Sequence, residues 1–280
     1  MKVQHLGSLG RDLLYLPAYW SRGRRVRSRM HYHQHRLVYG PHPRQYVLVL
    51  EPVDTPLAND RPWCFYFHGG AWTFGRPEQF IAAARPWLEA GFRVVLPSYR
   101  RPPRYRLPRI IEDLGGAAGA VVRFAQRRSL SLQTDLHTAG MSAGGHLAAY
   151  LALHSDWWPV PVSATACFAA PLDLRLLRPS LLFRDYAPLN PTELAGRIPG
   201  EGRWLLVQGQ RDGIVDPRHA ERFSAVQPNA AVLRIADGGH LAACGWAHDD
   251  GDAVLEQLRG FIGGVPTYTT LVGRHGPGHS

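Results

Sequence analysis

The chain has 280 residues, 45% of them hydrophobic and 19% charged, and a formal net charge of +10. That length suits one large domain or two small ones, and the composition excludes a disordered or low-complexity protein. The positive excess is arginine, Lys2 being the only lysine, and apart from the cluster Arg22–Arg29 it is spread along the chain; this points to compositional bias rather than to nucleic acid or an anionic membrane.

Residues 1–30 read as an N-terminal extension or cap. Leu13, Leu14, Leu16, Tyr19 and Trp20 give it an amphipathic face, and Arg22–Arg29 a solvated end. Arg11 and Asp12 interrupt any apolar core and no small-residue cleavage site follows, so no secretory signal is expected. No apolar run approaches the roughly 20 residues of a membrane span, and a cytoplasmic location is expected. His31, His33 and His35 share one face if extended. A polar edge-strand face is the expected reading, and a metal face the alternative. Val38–Gly40 and Tyr46–Glu51 read as an antiparallel pair turned by Pro41-His42-Pro43. Trp63–Phe67 is a short continuous apolar run, the pattern of a strand buried on both faces.

That strand runs into His68-Gly69-Gly70-Ala71-Trp72. Consecutive glycines at a strand end let backbone N–H groups approach a negative oxygen without side chains in the way. Gly70 and Ala71 are the expected donors, with His68 bracing the loop. A helix over Pro77–Ala90, a strand over Phe92–Leu96 and a long helix over Leu107–Arg128 follow. Leu136–Met141 is then a strand and Ala143–His154 a helix, joined by Gly140-Met141-Ser142-Ala143-Gly144. This G-x-S-x-G pattern places a serine at a sharp strand-to-helix turn with its hydroxyl facing a cleft. The N–H of Ala143 is a third candidate donor.

Val162–Ala170 is the next strand. Between Pro171 and Gly202 the strand–helix alternation lapses, and the segment reads as an insertion acting as a lid or pocket wall. Leu177, Leu181, Leu182 and Phe183, with Trp72, are expected to line the substrate pocket. Trp204–Gln208 is a strand, followed by a loop holding Asp212 and Asp216 and a helix over Pro217–Val226. Asp212 is the favoured acid; Asp216 competes with it but could instead cap the helix, and Asp173 ranks third. After the strand Ala231–Ala236 comes Asp237-Gly238-Gly239-His240, and His240 is the candidate base. His219 and His248 are expected on the surface and His146 in packing or a hydrogen bond. Asp249–Phe261 closes the domain as a helix, and 263–280 reads as a loose tail. Cys64, Cys167 and Cys244 have no metal or disulfide spacing and are expected to be buried thiols, Cys244 near His240. Strands alternating with helices imply an α/β fold, a mostly parallel sheet with helices on both faces and an antiparallel N-terminal edge.

Donor loop, Ser142, Asp212 and His240 follow one another in the chain, each where a strand gives way to a loop. On His68–Trp72, Gly140–Gly145, Asp212 and His240 the sequence resembles the α/β-hydrolase superfamily. It is most similar to the H-G-G-type carboxylesterases related to hormone-sensitive lipase and to the neighbouring kynurenine formamidase-like branch. The likeness runs from about Val38 to Phe261. The chain departs from it at Ser98, where family members carry Asp in an Asp-Tyr-Arg stretch, at Arg101-Pro102-Pro103-Arg104, and at Ala71, where lipase-like members have a third glycine. The resemblance implies an α/β-hydrolase domain over 31–262. It implies that Ser142 attacks an acyl carbonyl, His240 carries the proton and Asp212 orients His240. The substrate does not carry over; the expected one is a small-to-medium carboxylic ester with an apolar acyl or alcohol part, with no cofactor and no metal. A formamide substrate, or a silent scaffold used for binding, is the alternative; no nucleic-acid or membrane partner is expected, and the protein is expected as monomer or homodimer.

Overall fold

The computed structural model describes residues 17–53, 59–177, 186–198, 201–247, 252–265 and 270–271. Among these, nine strands make one sheet. They are β1 (Tyr32–Val38), β2 (Tyr46–Pro52), β3 (Trp63–Phe67), β4 (Arg93–Pro97), β5 (Leu136–Met141), β6 (Ala164–Phe168), β7 (Arg203–Gly209), β8 (Ala230–Ile235) and β9 (Thr270–Leu271). Their order across the sheet is β1-β2-β4-β3-β5-β6-β7-β8-β9. The β1–β2 and β2–β4 pairs are antiparallel and the others parallel. The helices are α1 (17–28), α2 (Arg85–Glu89), α3 (Leu107–Arg127), α4 (Ala143–Ala152), α5 (Pro191–Arg197), α6 (Arg218–Ser224) and α7 (Ala253–Ile262).

Period-two alternation assigns each strand residue to a layer. In β3, Cys64 and Tyr66 face a core shared with Trp87, Trp246 and Phe261, from α2, the segment after His240, and α7. Trp63, Phe65 and Phe67 face the opposite core, built by Leu107, Ile110, Leu114, Val121 and Phe124 of α3 and Leu147 of α4. The α3 residues recur at three- and four-residue spacing, which gives the helix one apolar face. A continuous apolar run in β3 is therefore the mark of a strand covered twice.

The predicted helix over Pro77–Ala90 is instead two 3-10 turns, Pro77–Gln79 and Ile81–Ala84, followed by the short α2. Pro86 explains the break: it lacks the N–H that an unbroken helix would give to Ala82, and it is tolerated only in a first turn. Helix α7 begins at Ala253 rather than Asp249, because Asp252 caps it by accepting from Val254 N at 2.8 Å. The described residues of 171–202 hold two 3-10 turns and α5.

The strand order reverses at β3, with β4 on one side and β5 on the other. A crevice opens at the carboxyl ends of strands where the order reverses. Phe67 is paired with Gly140, so the His68–Trp72 loop and Ser142 leave the sheet side by side.

Candidate active site

Ser142 sits at the junction of β5 and α4 with φ 54° and ψ −124°. A non-glycine residue in such backbone costs about 1–3 kcal/mol and persists only where its surroundings hold it. Ser142 N donates to Phe168 O at 2.8 Å, and Ser142 O accepts from Gly145 N at 2.9 Å. Tight packing does the rest: a Cβ on Gly144 would lie 2.1 Å from Phe67 O. Only glycine there lets the first turn of α4 rest on the end of β3, so the second glycine of the motif is a packing requirement.

The donor loop turns back on itself. Thr73 N and Phe74 N both donate to Gly70 O, at 2.8 and 2.9 Å. Gly70 has φ 124°, and a Cβ on it would stand 2.2 Å from Phe74 O. Ala71 and Trp72 follow with φ 48° and 60°, a left-handed pair that carries a cost of about 1–2 kcal/mol per residue. Among the described residues neither Gly70 N nor Ala71 N donates to a protein acceptor, which leaves both free for a ligand. His68 lies under the loop, stacked on Tyr99 at 4.5 Å with its Nδ1 2.9 Å from Gly69 O. Burial pushes its pKa down to about 3. It is a neutral brace.

Asp212 and His240 leave the neighbouring strands β7 and β8. His240 Nδ1 is 2.8 Å from Asp212 Oδ2. A carboxylate can only accept, so His240 carries its proton on Nδ1 and presents Nε2 as a base. Asp212 is 1% exposed and is fixed from three sides. Its Oδ1 accepts from Ile214 N at 2.8 Å and Val215 N at 2.9 Å, and its Oδ2 from Gln208 Nε2 at 3.2 Å. Asp216 instead takes the amide of Arg218 at 2.9 Å and pairs with the same side chain at 2.7 Å, as a residue capping α6 would. Asp173 is fully buried among Arg175, Arg222 and Asn190. Burial raises its pKa, but those hydrogen bonds outweigh it and hold the carboxyl below the usual range.

His219, expected on the surface, is 1% exposed and accepts from Asp173 N at 3.1 Å. His146 is buried, with Nε2 2.9 Å from Leu189 O, so it both packs and makes a hydrogen bond. His248 lies outside the described residues. His35 turns to Glu51 at 2.9 Å, and no group of three His, Cys, Asp or Glu side chains among the described residues could hold a metal. Burial pushes His146 and His219 down to about 4 and His68 to about 3. The unfolded chain titrates its histidines near ~6.5 and so binds more protons below that pH. The stability of keeping the three neutral is complete above about pH 6.5 and drains away as pH falls toward 4. Thermal unfolding followed by circular dichroism is expected to show the midpoint falling steadily across that window; a flat midpoint would contradict buried neutral rings.

Ser142 and His240 open on one apolar cavity of about 120 Å³, also lined by Gly70, Ala71, Tyr19, Trp20, Phe74, Phe80, Ile214 and Leu241. The pocket expectation is therefore corrected. Trp72 does not line this cavity: at φ 60° its ring packs edge-on against His146 at 5.3 Å, in the α3–α4 core. Leu177 packs against the same core. Leu181, Leu182 and Phe183 lie outside the described residues. The apolar wall over Ser142 comes instead from α1, through Tyr19 and Trp20. Trp20 packs edge-on to Phe80 at 5.2 Å, and the Tyr19 hydroxyl reaches Met141 Sδ at 4.0 Å. A sequence signal was present for Ile214 and Leu241, which lie close in the chain to Asp212 and His240; Tyr19 and Trp20 read only as the apolar face of the extension.

A family profile described as alpha/beta hydrolase fold matches residues 64–185. The chain is 32% identical over 257 residues to Esterase LipC of Mycobacterium tuberculosis, an alignment covering 77% of this chain and 61% of that protein. It is 35% identical over 89 residues to a pimeloyl-(acyl-carrier protein) methyl ester esterase of Xanthomonas oryzae, covering 31% of this chain and 34% of that one. The chain thus spans less than two thirds of the length of these relatives. Among solved structures, Esterase B from Lactobacillus Rhamnosis superposes with TM-score 0.70 at 18% identity, covering 94% of this chain and 96% of that one. A truncated carbohydrate esterase from gut microbiota does so with TM-score 0.70 at 16% identity, covering 83% and 95%. At these identities the structural likeness bears on the fold.

Proposed function

We propose that this chain, which has the alpha/beta-hydrolase fold, is a serine carboxylesterase acting on small esters with a short apolar acyl part. The observation that carries this reading is the Asp212–His240 hydrogen bond of 2.8 Å ending on the cavity that Ser142 and the donor loop also line. In this reading His240 Nε2 takes the Ser142 proton as Oγ attacks the ester carbonyl. Asp212 steadies the imidazolium that forms. The carbonyl oxygen, now negative, is held by the N–H groups of Gly70, Ala71 and Ala143, each worth about a hundredfold or more in rate. His240 then gives its proton to the departing alkoxide, leaving an acyl-Ser142. Water, deprotonated by the same His240, releases the acid. The esterase names of the relatives agree with this chemistry.

Cavity size supports a short acyl group. A 150 Å³ apolar cavity holds a benzene ring, so about 120 Å³ leaves room for some four or five carbons. The test is hydrolysis of 4-nitrophenyl esters from acetyl to octanoyl, with N-formylkynurenine as the amide comparison, followed by mass spectrometry after an organophosphate. The expected result is fastest turnover at butyryl and a single adduct on Ser142. Background rates on every substrate, or labelling elsewhere, would reject the enzyme reading in favour of a silent scaffold.

Trp20 sets the limit on chain length in this reading. Trp20→Ala removes a wall and is expected to raise the octanoyl-to-butyryl ratio of kcat/KM about tenfold, since each newly buried methylene contributes about 0.8 kcal/mol. A ratio unchanged within error would mean that α1 does not bound the acyl site.

A further inference from the structure

Where the donor loop leaves the cavity, the chain enters a group of arginines. Gly75 still lines the cavity with Ser142. The Arg101 guanidinium donates through Nη2 to the Gly75 carbonyl, and exposed Arg76 is the next residue. Arg44 lies on the turn between β1 and β2. Burial first, then the charges of Arg44 and Arg76, hold the Arg101 guanidinium below its usual range, and Arg101 and Arg44 both act on His68 behind the loop.

Gathering like charges is unfavourable unless an anion sits among them. The nearby carboxylates are already committed. Glu78 accepts from the Tyr46 hydroxyl at 2.9 Å and pairs with Arg36 at 3.6 Å. Asp113 accepts from Gln45 at 2.9 Å and from Arg100 N at 2.7 Å. Meanwhile Arg101 Nε is buried and, among the described residues, has no hydrogen-bond partner. A buried guanidinium N–H is ordinarily paired, so this one is a donor awaiting an acceptor.

We propose that Arg44, Arg76 and Arg101 form an anion subsite at the mouth of the cavity, and that the ester cleaved at Ser142 carries a carboxylate or phosphate on its alcohol part. The assignment rests on the esterase reading of Ser142. The cavity itself is apolar, and an unpaired carboxylate inside it would be strongly disfavoured. The charged portion must therefore stay at the rim while the acyl chain goes in. Guanidinium groups suit both anions, because their planar N–H forks match carboxylate and phosphate oxygens.

The experiment compares matched esters: O-butyryl-3-hydroxybenzoate, its neutral amide O-butyryl-3-hydroxybenzamide, and the butyryl ester of 3-hydroxyphenyl phosphate. At low salt the wild-type kcat/KM is expected to favour an anionic ester over the amide by about fivefold or more, with the preference shrinking as salt is added. Whichever anion is favoured more identifies the group. Arg76→Glu, and Arg44→Gln combined with it, are expected to bring the anionic-to-neutral ratio to about one or below. Arg123→Glu, the same change of charge as Arg76→Glu at an exposed position of α3, is expected to keep the wild-type ratio. A wild-type ratio near one, or a ratio that survives Arg76→Glu, overturns the subsite while leaving the esterase intact. Failure to cleave any of the three esters overturns the esterase reading, and the subsite with it.

Discussion

Replacing Ser142 by alanine is expected to cut kcat/KM for 4-nitrophenyl butyrate about 10⁵-fold while leaving the protein folded. The size follows from what Oγ does: it makes the bond that converts an ester into an acyl-enzyme, and no neighbouring group can substitute. What remains is the residual rate that donors and binding alone give such a site, about 10³-fold over water. The fold is expected to survive because only one oxygen is lost. Alanine tolerates positive φ here as it does at Ala71, φ 48° against 54° at Ser142. The hydrogen bond from Ser142 N to Phe168 O is a backbone contact and is retained. Thermal unfolding should therefore change little or rise, as often happens when a group held for catalysis is removed. Steady-state assays and an unfolding curve on the same preparation decide it. A loss under about tenfold in a folded protein would remove Ser142 from the chemistry.

Much of this arrangement was readable from residue types, because it is written in local backbone demands. A strand covered on both faces reads as an apolar run, and Trp63–Phe67 reads so. The elbow glycines report a close approach that any Cβ would block, as at Gly144 against Phe67 O. The features that could not be read are long-range or depend on the sign of a torsion. Trp72 follows the donor loop and looks like a pocket residue, yet its positive φ sends the ring to His146 instead. Tyr19 and Trp20 belong to a segment more than a hundred residues from Ser142 in the chain, and nothing local says that α1 folds over the cavity. His219 lies on a short polar helix, and its burial depends on Asp173 arriving from the segment after β6. The arginines share this character. Arg44, Arg76 and Arg101 are scattered in sequence among many others, and only the meeting of the β1–β2 turn, the donor loop and the segment after β4 makes them neighbours.

The choice between Asp212 and Asp216 as the acid has equally large and more discriminating consequences. Asp212→Asn is expected to lower kcat about 10⁴-fold, and Asp216→Asn to change it by less than about twofold. The hydrogen-bond pattern explains the size of the first effect. An asparagine at 212 would keep its oxygen toward the amides of Ile214 and Val215, which both donate to Asp212 Oδ1. Its NH₂ would then replace Oδ2, facing His240 Nδ1 and Gln208 Nε2. The NH₂ is a donor, so it can face His240 only if Nδ1 has no proton. The imidazole proton moves to Nε2, and the ring can no longer take the one on Ser142. Two donors would also oppose each other at Gln208, and a buried polar group left without an acceptor costs about 1–3 kcal/mol. A lower unfolding midpoint should therefore accompany the lost activity. Asp216→Asn meets none of these conditions. Its side chain is 37% exposed and paired with exposed Arg218, and asparagine caps a helix about as well as aspartate. Assays of both variants across pH, with unfolding curves, separate the two roles. If Asp216→Asn proved the more damaging, the acid would have to be reassigned and the 2.8 Å contact between Asp212 and His240 given a purely structural role.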